Sequence, residues 1–322
     1  MAWRPRVQRV GAACLLCIAL VLAFDHSYRV KNRLSVWVER DNEVSSSSTG
    51  RSTYFAQWST RHSKHVESVF AVVAVTSAAH IPERRHWQRV QWKRSVNKLR
   101  VVAGPELPKY IFKFCIGGRN LSREIAATVQ QEQQQNDDLL LLDSLDYDDA
   151  FWGDIGAQGQ SATTTKVVTA VRWATQHYRF QYLIRLGDDS YFRPENFFRR
   201  VRQGTLPSSL ACIGYVTGTP WTYTTPAGSI TAPYASGMGF AFTYDVASWI
   251  SKAGDMLLAG GPEDGIVGTW FAGTRIQMHH VPDGFRDLDW ECRSGEDILV
   301  HCLRDERAWA LIDSNGDLPC SL

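Results

Sequence analysis

Two adjacent aspartates stand at the end of an apolar run in the segment YLIRLGDDSYF (182–192). Three interpretations fit this pair taken by itself. Gly187-Asp188-Asp189 suits a tight turn with Asx hydrogen bonds, and GDD between apolar runs is also found in polymerase palms. The third interpretation is a nucleotide-sugar site, because a carboxylate at a strand end can hold the divalent cation that bridges two phosphates, with imidazole as a second ligand.

The overall charge bears on these alternatives. A formal net charge of +2 does not indicate the basic face that nucleic-acid binding normally needs, so the polymerase interpretation is disfavoured. Twelve tryptophans are present; exposed ones often bind sugar rings, but most tryptophans are core or interface residues.

The segments around the aspartates alternate between strand and helix patterns. Apolar, β-branched runs predict strands, and apolar residues at helical spacing predict helices. The predicted strands are 68–78, 110–118, 138–147 and 182–186, and the predicted helices are 84–95, 121–135 and 163–178. This alternation predicts an α/β fold with a mostly parallel central sheet covered by helices on both faces. Ligands bind at the carboxyl ends of such strands, where the aspartate pair stands.

Two helical segments allow more detail. In 163–178 the residues Val167, Ala170, Val171 and Ala174 fall on one face and predict its buried side. The run QQEQQQ (130–135) predicts a solvated helix surface.

The N-terminus predicts a membrane anchor. Three arginines (Arg4, Arg6 and Arg9) precede an uncharged apolar run at 10–24. We interpret 1–9 as a cytosolic tail, 10–24 as an uncleaved signal-anchor, 25–66 as a flexible stem and 67–322 as a lumenal domain, in a single-pass type II protein of the Golgi or endoplasmic reticulum. A cleaved signal peptide and a mitochondrial presequence are the alternatives.

Two further features bear on a lumenal location. Asn120-Leu121-Ser122 is a glycosylation sequon, which has meaning only if the domain is lumenal. Five cysteines lie outside the apolar run, so at most two disulfides form within the chain, and the spacing does not determine which.

Four segments in the same order, within matches that run from about 68 to 301, resemble the inverting β1,3-glycosyltransferases, which include β1,3-galactosyl- and N-acetylglucosaminyltransferases, the core O-glycan galactosyltransferases and Fringe. They are TSA (76–78) followed by Arg85, Arg89 and Trp92; RLGDDSY (185–191); PYASGMGFAFTYDVASWI (233–250); and GPEDGIVGTWFAG (261–273). The resemblance implies a GT-A-type fold, Mn²⁺ or another divalent cation, a UDP-sugar donor (UDP-galactose first, UDP-N-acetylglucosamine next), a glycan acceptor and a β1,3-type linkage.

The resemblance also implies a metal site and a general base. Asp189 matches the direct metal ligand of the family, and His301 in DILVHC matches its late histidine, while His279-His280 is the competing pair. Asp264 matches the general base that removes the proton from the acceptor hydroxyl. Acids after Pro262 also suit a helix N-terminus, where they favour the helix dipole.

The remaining predicted site residues are divided between donor and acceptor. The predicted donor-binding residues are Ser77, Arg85, Arg89, Asp146, Lys166 and Asp188. The predicted acceptor-binding residues are Trp221, Tyr234, Gly237 and Glu263, with Tyr223 as a further stacking candidate. A solvated basic helix face is the alternative for the arginines, an Asx turn for Asp188, and core packing for the aromatic residues.

One position departs from the pattern of the family. The metal motif is basic-x-Asp-x-Asp, but its first acidic position is Gly187 here. In the family that aspartate helps to hold the donor ribose or a metal-bound water. The departure motivates the alternative hypothesis of a catalytically weak sugar-binding or scaffolding relative.

Overall fold

A computed structural model describes residues 66–146, 161–225, 228–287 and 296–315. The predicted tail, the apolar segment and the stem up to residue 65 lie outside the described residues. Within the described ranges, none of the helices is both long enough and apolar enough to span a bilayer.

Fourteen strands and seven α-helices make up these ranges. The strands are β1 (Glu67–Ser68), β2 (Ala71–Thr76), β3 (Tyr110–Arg119), β4 (Leu139–Leu145), β5 (Tyr178–Arg179), β6 (Tyr182–Gly187), β7 (Tyr191–Phe192), β8 (Ala211–Val216), β9 (Trp221–Thr225), β10 (Gly228–Ala232), β11 (Ala235–Thr243), β12 (Gln277–His280), β13 (Phe285–Asp287) and β14 (Leu299–His301). The helices are α1 (Pro82–Ala103), α2 (Arg123–Asn136), α3 (Ala162–His177), α4 (Pro194–Arg202), α5 (Tyr244–Ala253), α6 (Glu263–Trp270) and α7 (Glu306–Asn315).

A seven-stranded sheet in the order β12-β8-β11-β6-β2-β3-β4 forms the centre of the fold. The pairs β12–β8, β6–β2, β2–β3 and β3–β4 are parallel, while β11 is antiparallel to both β8 and β6. The sheet is therefore mostly parallel, as predicted.

Helices cover both faces of this sheet. Along β2, Val73 and Val75 enter one apolar cluster, to which α1 and α2 contribute, and Val72 enters a second one with residues of α3, α5 and α6. Burial on both faces explains why this strand reads as a continuous apolar run. The predicted buried face of α3 is confirmed, since all four of its residues are at most 4% exposed.

The prediction of a solvated surface for 130–135 is wrong at two positions. Glu132 and Gln133 of α2 are both 8% exposed. Gln133 Oε1 accepts a hydrogen bond from Leu139 N–H (2.8 Å), and Glu132 pairs with arginines of α1. Polar side chains are buried here because each finds a partner.

A small three-stranded sheet, in the order β13-β14-β7, lies beside the end of β6. β13 and β14 are parallel, with Asp287 opposite His301, and β14 is antiparallel to β7. Phe285 and Leu299 of this sheet are buried in the same cluster as Val73 and Val75 of β2. The small sheet is therefore anchored in the main core, which brings β14 to the aspartate pair.

Candidate active site

The turn between β6 and β7 is held from two sides. Ser190 N–H donates to the Gly187 carbonyl (3.3 Å) within the turn. The Gln88 amide of α1 donates to the carbonyls of Gly187 (2.9 Å) and Ser190 (2.8 Å). The Ser190 hydroxyl donates to the Met238 carbonyl of β11 (2.8 Å). The two aspartates therefore project from a turn that is fixed against both α1 and β11.

Asp188 is buried and is bound by side chains from the β2–α1 region. Arg84 Nη1 lies 3.1 Å from Asp188 Oδ1, and the Ser77 hydroxyl hydrogen-bonds to the same carboxyl group. Burial raises the pKa of Asp188 and the charge of Asp189 adds to the rise, whereas Arg84 and Ser77 oppose it.

Asp189 and His301 meet between the turn and β14. His301 Nε2 lies 3.5 Å from Asp189 Oδ1, and the two side chains are 21% and 20% exposed. Leu303 N–H donates to the Asp189 carbonyl (2.9 Å), which holds the turn beside β14. A carboxylate oxygen and an imidazole nitrogen this close, and open to solvent, fit a divalent cation such as Mn²⁺.

The other ring nitrogen of His301 has two neighbours. Nδ1 lies 3.2 Å from Asp287 Oδ2 and 3.2 Å from Cys302 Sγ. Burial raises the pKa of the Cys302 thiol to about 12, and its hydrogen bond to Asp287 and the charge of Asp287 add to the rise. Without a metal the thiol is therefore protonated near neutral pH, and a cation bound to Sγ would have to displace this proton.

The competing histidine pair lies elsewhere. His279 and His280 are on β12, the edge strand next to β8. His280 Nδ1 accepts a hydrogen bond from Val216 N–H (2.9 Å). The structure brings His301, and not this pair, next to Asp189.

Asp264 lies in the first turn of α6 and is half-buried. Its Oδ1 accepts from Gly265 N–H (2.8 Å), and its Oδ2 accepts from Gly237 N–H of β11 (2.9 Å). A Cβ atom at Gly237 would lie 3.3 Å from Oδ2, so the glycine permits this close approach. Met238, the next residue of β11, binds Ser190. Asp264 and the turn that carries the two aspartates are thus anchored on consecutive residues of β11.

Glu263 begins α6 and is 8% exposed. It forms an ion pair with Arg185 of β6, and Arg185 Nη1 donates to the Gly237 carbonyl (2.7 Å). Burial raises the pKa of Glu263 to about 7; the charge of Arg185 opposes the rise and that of Asp264 adds to it. The pair fixes the start of α6 against the central sheet, whereas contact of Glu263 with an acceptor stays a prediction.

The two arginines predicted to bind the donor are occupied by protein groups. All five N–H groups of Arg85 donate within the protein: to both carboxylate oxygens of Glu132, to the Ser77 hydroxyl and to the carbonyls of Ala78 and Ala79. The residue is 0% exposed, which leaves no donor for a diphosphate. Arg89 binds Glu132 (2.6 Å) and forms two hydrogen bonds, of 2.7 and 2.8 Å, with Asp138.

Asp146 and Lys166 form a second internal clamp. Asp146 accepts from the backbone N–H groups of Ala79 (2.6 Å) and Gly117 (2.9 Å). Lys166 Nζ donates to Asp146 Oδ1 (3.0 Å), to the Asp146 carbonyl and to the Ser77 carbonyl (2.9 Å). These bonds use all three ammonium hydrogens. The clamp joins the carboxyl ends of β2, β3 and β4, and contact of either residue with a donor stays a prediction.

The aromatic candidates lie around α6. The Trp221 ring covers Gly265, where a Cβ atom would come within 2.6 Å of it, and at Gly268 a Cβ atom would come as close to Tyr234 Cβ and the Pro233 carbonyl. Trp221 Nε1 is buried and has no partner among the described residues. Tyr223 packs against the cluster that contains α6. These contacts agree with the packing interpretation of the aromatic residues, although Trp221, Tyr223 and Tyr234 keep partial exposure.

Sequence reasoning missed two residues of the site, Arg84 and Asp287. Arg84 was detectable, because it is a further arginine next to Arg85 at the start of the predicted helix 84–95, directly after a strand end where ligands bind. Asp287 gave no comparable signal, since a lone acid in a short strand does not indicate which histidine it faces.

Comparison with known proteins identifies the family. A family model described as galactosyltransferase matches residues 83–282, more than half of the chain, and the chain belongs to this family. Mouse β-1,3-galactosyltransferase 6 is 27% identical over 225 residues, which cover 66% of this chain and 63% of that protein. The chain thus matches less than two thirds of the length of this relative.

Two solved glycosyltransferases are similar at low TM-scores. The galactosyltransferase LgtC, in complex with donor and acceptor sugar analogs, has a TM-score of 0.39 and 10% identity, covering 74% of this chain and 92% of its own. Mouse xyloside xylosyltransferase 1 in its apo form has a TM-score of 0.35 and 12% identity, covering 73% of this chain and 97% of its own.

The family resemblance predicted from the four sequence segments is confirmed by the family match. The GT-A-type α/β fold that this family implies is also confirmed, because the central sheet is mostly parallel and has helices on both faces.

Proposed function

We propose that this member of the galactosyltransferase family is a metal-dependent inverting hexosyltransferase. It moves galactose from UDP-galactose to a glycan hydroxyl and forms a β1,3-type linkage. The observation that carries the proposal is that Asp189 and His301 lie 3.5 Å apart, while Asp264 of α6 is bound to Gly237 of β11, the residue before the one that binds the turn with the aspartates.

The chemistry assigned to Asp264 follows from inversion. The acceptor oxygen attacks the anomeric carbon from the face opposite the departing diphosphate, and its proton must leave as the new C–O bond forms. Two backbone N–H groups orient the Asp264 carboxylate, so it takes up this proton without first reorganising. A general base of this kind accelerates a reaction typically by about 10²–10⁴-fold.

Asp189 and His301 would hold the divalent cation, which supplies positive charge to the diphosphate as it leaves. Arg84 lies beside Asp188 and is 28% exposed, so its guanidinium group is open to a donor phosphate. It takes the phosphate-binding role that the sequence assigned to Arg85 and Arg89.

UDP release separates this proposal from its alternative. The purified domain is incubated with UDP-galactose, UDP-N-acetylglucosamine and UDP-glucose, each with a panel of glycan acceptors, with Mn²⁺ or with a chelator. We expect acceptor-dependent UDP release, greatest with UDP-galactose and abolished by the chelator.

The matched variants are Asp189→Ala, which should be inactive, and Asp143→Asn, which should retain activity. Asp143 is an exposed acid paired with Arg119 and lies outside the site. Release that persists under chelation would exclude metal dependence. Binding of UDP-sugars with no release would favour the catalytically weak relative, for which Gly187 is the motivating observation.

We also propose that the domain is lumenal and membrane-anchored by residues 10–24. Asn120 supports this, because it is exposed in a left-handed turn (φ 61°) between β3 and α2, where a glycan has room. Full-length protein should stay in the membrane fraction after carbonate extraction, and Asn120→Gln should lose one glycan. A soluble protein with a new N-terminus near Asp25 would contradict the anchor.

A further inference from the structure

We propose that Asp287 is a positioning residue that holds the His301 imidazole in the tautomer with its proton on Nδ1, so that the Nε2 lone pair faces Asp189. The part of this inference that concerns metal binding rests on the proposed function. The part that concerns the tautomer stands on the geometry of His301 alone.

The two nitrogens of His301 face two different carboxylates. Nδ1 lies 3.2 Å from Asp287 Oδ2, and Nε2 lies 3.5 Å from Asp189 Oδ1. A neutral imidazole has one N–H and one lone pair, so only one nitrogen can donate at a time. The carboxylate that accepts the proton decides which nitrogen is left to bind a cation.

Burial and geometry favour Asp287 as the acceptor. Its side chain is 11% exposed against 20% for Asp189, and its contact with the ring is the shorter one. Asp287 and His301 are also opposite residues of the parallel β13–β14 pair, so the backbone fixes their separation. Asp189 comes from a turn and is free to accept a cation in place of a ring proton.

Cys302 is the competing partner of Nδ1, since its Sγ also lies 3.2 Å away. A thiol that donated to Nδ1 would move the ring proton to Nε2. However, a thiol is a weak donor, whereas a hydrogen bond to an ionised carboxylate is about twice as strong as a neutral one. Asp287 therefore outweighs Cys302.

The test is the tautomer of His301 in metal-free protein. Long-range ¹H–¹⁵N spectra of histidine-labelled domain, recorded at pH about 8, distinguish the two neutral tautomers and the imidazolium, and His301→Gln identifies the signal. We expect the proton on Nδ1 in the wild type, and a shift toward Nε2–H in Asp287→Ala and, to a smaller degree, in Asp287→Asn.

The wild-type spectrum alone can overturn the proposal: a proton on Nε2, or an imidazolium, excludes it. An unchanged tautomer in folded Asp287→Ala or Asp287→Asn also excludes it. Asp283→Ala is the matched control, because Asp283 is an exposed acid that pairs with Arg200, and this variant should leave the His301 signal unchanged.

Mn²⁺ binding, measured by calorimetry without substrates, separates this inference from the proposed function. Loss of such a histidine partner typically lowers metal affinity about 10–100-fold, and we expect this for Asp287→Ala and not for Asp283→Ala. Wild-type protein that binds no Mn²⁺ but has the Nδ1–H tautomer would overturn the proposed metal dependence and support the positioning role. Equal Mn²⁺ affinity in wild type and Asp287→Ala would overturn the role of Asp287 in metal binding.

Discussion

The acidic residues of the site differ in the groups that surround them, and these surroundings favour a different role for each. Asp264 accepts two backbone N–H groups, which orient its carboxylate. Glu263 is paired with Arg185 and buried, so it anchors a helix. Asp189 faces an imidazole and solvent, as a metal ligand requires. Acidic residues that are adjacent in the chain therefore lie in different surroundings.

The first prediction concerns Asp264→Asn. Both oxygens of Asp264 accept N–H groups, and asparagine has only one acceptor oxygen, so the variant should lose about 1 kcal/mol of unfolding free energy. Transfer should fall by about 10²–10⁴-fold because the amide cannot take a proton. UDP and Mn²⁺ affinities, measured by calorimetry, should stay near the wild-type values.

Glu263→Gln is the comparison for Asp264→Asn. If Asp264→Asn keeps transfer within a few-fold of wild type while Glu263→Gln loses it, then Glu263 is the base.

The second prediction concerns Gly187. A Cβ atom there would lie 2.7 Å from Asp189 Oδ1, so Gly187→Ala must displace the proposed metal ligand. We expect weaker Mn²⁺ binding and slower transfer, with little loss of stability because the atom displaced belongs to a side chain. Gly218→Ala is the control, since nothing lies within 4 Å of its Cβ position. Equal Mn²⁺ affinities in the two variants would show that the orientation of Asp189 is unimportant.

At the scale of elements, helix α1 presents two neighbouring rows of side chains. Arg84 and Gln88 contact the turn that carries the aspartates. Arg85 and Arg89 contact Glu132 on α2. Consecutive side chains of a helix point about 100° apart. The row with Arg84 and Gln88 therefore reaches the site, while the row with Arg85 and Arg89 fixes α1 against α2.

The third prediction concerns the ion-pair cluster around Glu132. Glu132→Gln removes the carboxylate that pairs with the buried Arg85, while Arg89 keeps Asp138. Breaking a buried pair costs about 3–5 kcal/mol of unfolding free energy. Denaturation with urea measures the change. Asp143→Asn breaks an exposed pair and should cost less than about 1 kcal/mol. Similar losses in both variants would show that the Glu132 cluster does not stabilise the fold.

This cluster also has a defined pH dependence. Burial alone would raise the pKa of Glu132, but its hydrogen bonds to Arg85 and Arg89 and their charges hold it below the ordinary value of 4.5. Because the pKa is lower in the folded state, the stabilisation is present above pH 4.5 and is lost as the pH falls below that value. Glu132→Gln should lack this part of the acid sensitivity.

At the scale of the molecule, the site joins two sheets. Asp189 follows a central strand of the large sheet, whereas His301 and Asp287 belong to the small one. A cation held by Asp189 and His301 would link them. Ligand binding should therefore stabilise the whole domain and not one loop.

The fourth prediction is this stabilisation. With Mn²⁺ and UDP at about 100 times the dissociation constant, the free energy of unfolding should rise by about 2.7 kcal/mol. For a domain of this size the melting temperature should rise by roughly 5–10 °C. His301→Ala should lose the manganese-dependent part of the rise in a thermal-shift measurement. An equal rise in this variant would exclude His301 as a ligand.

The sequence determined the order and type of the main elements. The strand at 182–186 and its alternation with helices were readable, because strands buried on both faces are continuously apolar and helices repeat every 3.6 residues. The sequence also indicated three candidate site residues, Asp189, Asp264 and His301. They could be found because the motifs that contain them follow one another in the same order as in the family.

The tertiary structure decided which polar groups face each other. Hydrogen bonds and ion pairs depend on distances of about 3 Å between residues far apart in the chain, and periodicity does not encode such distances. The tertiary structure pairs Arg85 and Arg89 with Glu132, and it pairs Arg84 with Asp188 in the turn. The tertiary structure also places Asp287 next to His301. The two residues are opposite each other because of the register of β13 and β14, and the local sequence of such short strands does not specify their register.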